Sequence, residues 1–220
     1  MKTLRPIRSF VHRERKLGYL RQEAVSLLWD QYVLNHQNGM INLDKLSRPI
    51  NLEIGFGMGE SLFKMVETFP SEQFIGIEVH LPGVAALLHK LKNKPLSNIK
   101  IYHYDAIEVL EKCIPNNCIN KIFLFFPDPW PKRRHHKRRI VQPTFIKLIY
   151  DKLEDHGYFY AATDVEDYAL HMVNTITAKN FKLALKTQAS RHLTKFEQRG
   201  INEGRKIWDL TFTKERPATI

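Results

Sequence analysis

Three segments of this chain repeat one spacing of apolar residues, i, i+3, i+4 and i+7: Leu62, Met65, Val66 and Phe69; Val84, Leu87, Leu88 and Leu91; Ala169, Met172, Val173 and Ile176. That spacing places four side chains on one face of a helix. Around them lie short apolar runs of strand length at 50–54, 74–78, 99–103, 121–126 and 157–163, with two more near 181–187 and 207–213. Strands that alternate with one-faced helices build a parallel sheet, because each parallel connection crosses over the sheet and brings a helix to cover it. A further helix is expected over 142–152. The expected fold is therefore a single α/β domain with a mostly parallel, seven-stranded sheet and helices on both faces.

Residues 1–48 read differently. A basic arm leads into one amphipathic helix over 22–34, with Ala24, Leu27, Leu28 and Trp29 facing inward, and Asn38-Gly39 supplies turn chemistry. No Pro/Gly-rich linker divides the rest. The expected organisation is an arm and helix at 1–48, the α/β domain at 49–215 and a short tail at 216–220.

Charge is concentrated. The formal net charge is +11 over 220 residues. Residues 1–21 contribute +6 and the run 132–139 (KRRHHKRR) another +6, which leaves the remainder at −1. Patches of this kind speak about partners rather than fold. No apolar run reaches the roughly 20 residues of a membrane span, and no apolar stretch follows the basic N-terminus as a secretory signal requires. Two cysteines, Cys113 and Cys118, make no disulfide framework, so a reducing cytoplasm is the expected compartment. They lack two further ligands at zinc spacing, and His135 and His136 sit among cations that repel a metal. No metal is expected.

Where the first expected strand meets the first expected helix, residues 51–59 read NLEIGFGMG. Glycines at the carboxyl end of a parallel strand let the backbone turn sharply and come close to a ligand. The pattern is G-x-G-x-G at Gly55, Gly57 and Gly59. Glu60 stands where a dinucleotide loop needs its third glycine, and an acid there repels a pyrophosphate. A cofactor with a cationic head and no phosphate fits better, which points to S-adenosylmethionine. Glu53 precedes the loop, Glu78 ends the second strand and Asp105 follows the third, so three acids gather at strand carboxyl ends. Glu78 suits ribose hydroxyls and Asp105 an adenine amino group.

The fourth strand runs into Pro127-Asp128-Pro129-Trp130-Pro131. Three prolines in five residues bar helix and ladder and make a stiff loop. It should emerge beside the glycine loop, where the sheet order switches. Trp130 is placed to stack on a base and Asp128 to accept from a guanine edge, while the basic run that follows at once suits a phosphate backbone.

These segments resemble the bacterial tRNA (guanine-N7)-methyltransferases. The motifs that carry the resemblance are residues 52–59 (LEIGFGMG), 75–80 (IGIEVH), 126–139 (FPDPWPKRRHHKRR), Ala162-Thr163-Asp164 and 194–200 (TKFEQRG), in order over roughly 40–215. The resemblance implies a Rossmann-like class I methyltransferase fold in which S-adenosylmethionine donates a methyl to N7 of a guanosine in the tRNA variable loop, leaving S-adenosylhomocysteine. Carried over by position, Glu53, Gly55, Gly57, Gly59, Glu78, Asp105 and Asp128 bind cofactor, and Asp128 is also the catalytic residue. Lys132, Asp164, Thr194, Lys195, Phe196 and Glu197 contact substrate. Arg134, His135, His136, Lys137, Arg138 and Arg139 contact RNA. Val165 stands where the family often has Trp, so no stacking role falls there, and residues 201–206 (INEGRK) depart from the usual Leu-Gly-containing stretch.

Partners beyond tRNA are not indicated, neither a membrane nor an obligatory protein. Two rival classes remain: a dinucleotide-dependent oxidoreductase, disfavoured by Glu60, and a non-enzymatic RNA-binding protein, which explains the cations but not the acids around the glycine loop.

Overall fold

The apolar runs pair as the alternation requires. In the computed structural model, which describes residues 9–10, 16–184 and 195–215, the central strands are β2 (Ile50–Ile54), β3 (Gln73–Ile77), β4 (Ile99–Tyr102), β5 (Ile119–Phe125) and β6 (Leu153–Thr163). Every residue of β2 and β3 is buried, as strands covered on both faces must be. Among these five strands, chain order departs from spatial order at one place. β2 pairs in parallel with β3 on one side and β5 on the other, Glu53 lying between Gly76 and Phe123. The carboxyl ends of β2 and β5 therefore flank the switch point, the place where ligands bind in open parallel sheets.

Helices cover both faces. α2 (Glu60–Thr68) and α3 (Leu81–Asn93) pack Leu62, Met65, Val66, Leu87, Leu88 and Leu91 on one side, together with Phe74 and Phe123. α4 (Ala106–Lys112), α5 (Pro143–Lys152) and α6 (Glu166–Thr177) cover the other with Val109, Phe145, Ile149, Tyr168 and Met172. Helix α4 is an addition to the sequence reading. Asp105 caps it and Glu108 follows three residues later, a spacing that signals a helix start.

The N-terminal helix is longer at its start than expected. α1 runs Tyr19–Tyr32. Its buried line passes through Ala24 and Tyr32, eight residues apart, with Val25, Leu28 and Trp29 beside it. Leu27 falls on the other side and is 62% exposed, so it does not face inward as expected. Val33 and Leu34 then form β1, parallel to Ile101 and Tyr102 of β4. Among the described residues the sheet thus has eight strands rather than seven, and residues 19–34 pack into the α/β domain rather than hanging before it. The order is β1-β4-β3-β2-β5-β6-β8-β7, with β7 (Phe181–Leu183) and β8 (Trp208–Lys214) at the far edge. Only β8 runs against its neighbours. A short helix, α7 (Lys195–Asn202), precedes it. Of the strand expected at 181–187, β7 takes Phe181–Leu183 and Ala184 falls beyond it, while 185–187 lie outside the described residues, as does the tail at 216–220. Among the described residues no helix is long and apolar enough to cross a membrane.

Candidate functional site

The glycine loop makes three left-handed turns in five residues: Gly55 at φ 70°, Gly57 at 55° and Gly59 at 69°. Residues with a Cβ strongly disfavour this region, which accounts for the G-x-G-x-G spacing. The loop is held at both ends. Gly55 N–H donates to Ile77 C=O (2.8 Å) and Gly59 N–H to Phe56 C=O (2.9 Å). Its middle is held by Glu78, whose Oε2 accepts from Gly57 N–H at 2.8 Å. The other oxygen accepts from Val79 and His80 N–H at 2.7 and 2.9 Å. Glu78 thus shapes the loop as well as lining the cavity beneath it.

That cavity has a volume of about 320 Å³ and sits at the carboxyl ends of β2, β3, β4 and β5. Its walls include Gly55, Gly57, Glu78, Asp105 and Asp128, which brings together five of the expected cofactor residues. Asp105 does two jobs as well: Oδ1 caps α4, accepting from Ile107 and Glu108 N–H at 2.9 and 3.3 Å, and Oδ2 is left out of that cap. Glu53 is placed differently. It is 3% exposed inside β2, and the cavity wall at that strand is made by Ile54 and Gly55. Gly59 supports the wall from behind as the cap of α2.

No Lys or Arg is among the described residues lining the cavity. Carboxylates, backbone carbonyls and amides, and the apolar side chains of Ile54, Ile77 and Leu124 suit a cationic, hydroxyl-bearing ligand with an apolar ring. They do not suit a pyrophosphate, and the cavity is of small-molecule size.

Sequence reasoning missed three contributors. Ser9 and Phe10 of the arm line the cavity, and Ser9 C=O accepts from Trp130 Nε1–H at 3.1 Å. Nothing in the composition of a basic arm signals this. The third is Gly83 of α3. A Cβ built there would lie 2.2 Å from Gly57 C=O, so the helix must carry glycine for the loop to pass.

The Pro-rich loop leaves β5 through Phe126 at φ 51° and ends near Trp130 at φ 46°, two non-glycine residues in the left-handed region. Such conformations persist where surroundings over-determine them, often at functional sites. Asp128 is exposed at the cavity rim. The Trp130 ring is already engaged: the Arg138 guanidinium lies 4.0 Å from its centroid, and His135 meets it edge-on at 5.9 Å. One face of the indole is therefore taken, which leaves only the other for the stacking expected of it.

The basic run forms a 3₁₀ turn over Arg133–Arg138. Lys132, Arg133, Arg134 and Lys137 are exposed, while His135, His136 and Arg138 are half-buried. Burial, then the charges of Arg134, Arg138, Lys132 and Lys137, hold the His135 imidazole below its usual range. Arg139 departs from the expectation. It is 2% exposed and turned into the protein.

Asp164 follows β6, beside the Pro-rich loop, since Phe126 N–H donates to Ala162 C=O at 2.8 Å. Its carboxylate is gripped by Arg205, which also donates to Glu203 at 3.0 Å. Both belong to the segment that departs from the family pattern. Glu197 lies buried in α7 at 2% exposure. Thr194 and the side chains of Lys195 and Phe196 lie outside the described residues.

Residues 47–210 match the family model described as "Putative methyltransferase". A tRNA (guanine-N(7)-)-methyltransferase of Idiomarina loihiensis is 43% identical over 100% of this chain and 94% of its own length. One from Psychromonas ingrahamii is 45% identical over 97% of this chain and 91% of its own. Among solved structures, the 16S rRNA methyltransferase KamB is similar at a TM-score of 0.58 and 15% identity, covering 79% of this chain and 91% of that one. A 16S rRNA (adenine(1408)-N(1))-methyltransferase from Catenulisporales acidiphilia, solved with cosubstrate SAM, is similar at 0.57 and 10%, covering 82% and 94%. At such identities these two speak for the fold alone.

Proposed function

Because this chain belongs to the tRNA (guanine-N7)-methyltransferase family, we propose that it transfers a methyl from S-adenosylmethionine to N7 of a guanosine in the tRNA variable loop, with Asp128 facing the reacting base. The observation that carries the placement is the position of Asp128: exposed, flanked by two prolines, at the rim of a cavity walled by Glu78 and Asp105 and followed at once by outward-facing cations. S-adenosylmethionine, when bound, supplies a sulfonium methyl that the N7 lone pair can take directly and in line.

Guanine N7 carries no proton at neutral pH, so the chain needs no general base to expose its nucleophile. What remains is positioning and charge. Gly55, Gly57 and Glu78 hold the cofactor's ribose side, and Asp105 the adenine amino group; Glu53 and Gly59 act from behind by setting the loop. Positive charge enters the guanine ring as the methyl moves, which makes N1–H and the exocyclic amine stronger donors. An Asp128 carboxylate accepting from them binds the transition state more tightly than the ground state. Asp164, held by Arg205, borders the substrate on the other side, with Lys132 at the entrance. Arg134, Lys137 and Arg138, with His135 and His136, meet the phosphate backbone.

The test is methyl transfer to an unmodified tRNA transcript, with the product mapped by cleavage at N7-methylguanosine. Asp128→Asn should lower turnover by about 100-fold while S-adenosylhomocysteine binds nearly as before. A methyl on another atom refutes the reaction, and near-normal turnover in the variant removes Asp128 from it.

A further inference from the structure

Six cations lie between Lys132 and Arg139, and five of them reach solvent wholly or in part. Arg139 does not. A buried guanidinium has to be satisfied by partners, or its desolvation is uncompensated, and both Nε and Nη2 of this one are engaged. Nε–H donates to Pro129 C=O at 2.9 Å. Nη2 lies 3.1 Å from His136 Nε2 and also donates to Asp167 Oδ2 on α6. Its plane covers the Tyr168 ring at 4.7 Å. The Arg139 guanidinium in turn holds the Asp167 carboxyl below the usual carboxylate range.

Pro129 directly follows Asp128. The loop around them has no ladder to stiffen it, and Pro127, Pro129 and Pro131 have no N–H to donate. Its ends stand in the left-handed region at Phe126 and Trp130. A fixed donor on Pro129 C=O is what such a loop needs if its carboxylate is to point one way.

We infer that Arg139 is a positioning residue rather than an RNA contact: gripping Pro129 C=O from a socket of Asp167, His136 and Tyr168, it sets the direction of the Asp128 carboxylate toward the guanine. The inference rests on the reading of Asp128 given above. It divides the basic run by function, with the exposed cations binding tRNA and the last one serving the chemistry.

The experiment measures single-turnover methyl transfer at saturating tRNA and S-adenosylmethionine, together with tRNA affinity across a salt series. Arg139→Lys should slow the single-turnover step by about 10- to 100-fold, the scale expected of a misaligned group, with tRNA affinity and its salt slope unchanged. Arg134→Ala should instead weaken tRNA binding and lower its salt slope by about one. In an Asp128→Asn background, Arg139→Lys should slow the step no further, because it acts through Asp128. Asp167→Ala, which alters an exposed carboxylate, should slow the step in the same sense and decides the matter if Arg139→Lys fails to fold. A wild-type rate in Arg139→Lys with a salt slope shallower by about one makes Arg139 a phosphate contact and overturns the inference. So does a full multiplicative loss in the double variant. If Asp128→Asn alone keeps the wild-type rate, the reading of Asp128 falls and this inference with it. Loss in Asp128→Asn beside a wild-type Arg139→Lys refutes this inference alone.

Discussion

Gly83→Ala is the sharpest probe of how the cofactor cavity is built. In an isolated helix the change is favourable by roughly 0.5–1 kcal/mol, because alanine loses less chain entropy. Here the new Cβ would stand 2.2 Å from Gly57 C=O and 3.2 Å from Glu78 Cγ, both backbone or buried neighbours that cannot swing aside. Reaching ordinary contact requires about 1 Å of separation between α3 and the glycine loop. That displacement acts on the bond from Gly57 N–H to Glu78 Oε2, now 2.8 Å. Losing a hydrogen bond to a charged group costs about 1.5–3 kcal/mol, so the helix gain is outweighed. The expected net is a destabilisation of about 1–2 kcal/mol and, because the loop is the cavity wall, a dissociation constant for S-adenosylhomocysteine raised by about tenfold or more. Urea unfolding and calorimetric titration read the two effects. Gly39→Ala is the control: it stands at φ +76° and ψ −152° with nothing within 4 Å, so strain alone should cost about 1–3 kcal/mol and leave cofactor affinity intact. Unchanged affinity together with raised stability in Gly83→Ala would refute the argument that Gly83 is kept for the loop.

Trp130→Phe removes the donor to Ser9 C=O and keeps an aromatic ring, so it should release the arm and weaken S-adenosylhomocysteine binding; equal affinity in the variant would leave Ser9 and Phe10 without a role in the cavity. Neutralising Arg134 and Lys137 together should weaken tRNA binding and lower its salt slope by about two, roughly one per phosphate contact, with the cofactor affinity untouched in the same titrations. His135 starts with a depressed pKa, and a tRNA phosphate beside it favours the charged ring. Binding should therefore take up a proton, and affinity should rise as pH falls between the bound and free pKa values, a gain that His135→Gln abolishes; identical pH dependence in wild type and variant contradicts this.

Much of this architecture was legible because it follows from periodicities. The stripes at Leu62, Val84 and Ala169 and the runs at 50–54 and 121–126 have one low-energy solution, a crossed-over parallel sheet, and the glycine loop falls at its switch point in consequence. The acids at Glu78 and Asp105 were found from the same logic. What escaped were facts of approach rather than of pattern. A charge run carries no period, so nothing marks Arg139 as the inward member among Lys132, Arg134 and Lys137. Gly83 looks like an ordinary helix glycine until Gly57 is placed against it. Glu53 alternates with Ile54 along β2, and only the assembled sheet decides that Ile54 reaches the cavity while Glu53 stays buried. Two residues, Val33 and Leu34, are too few to announce a strand.

The reversal of β8 has a consequence for how this enzyme can change. β7 runs with the parallel strands and β8 against them, so their connection starts and finishes at one edge of the sheet, the carboxyl edge that carries the cavity. Both ends are anchored: Ala184 N–H donates to Thr211 C=O, and Trp208 pairs with Thr163. Insertions, deletions and recoded side chains between those anchors, as in the Gly204-Arg205-Lys206 stretch whose arginine meets Asp164, leave the pairing of β2, β3, β4 and β5 around the cavity untouched. That edge of the sheet and the cavity wall are thereby free to evolve at different rates.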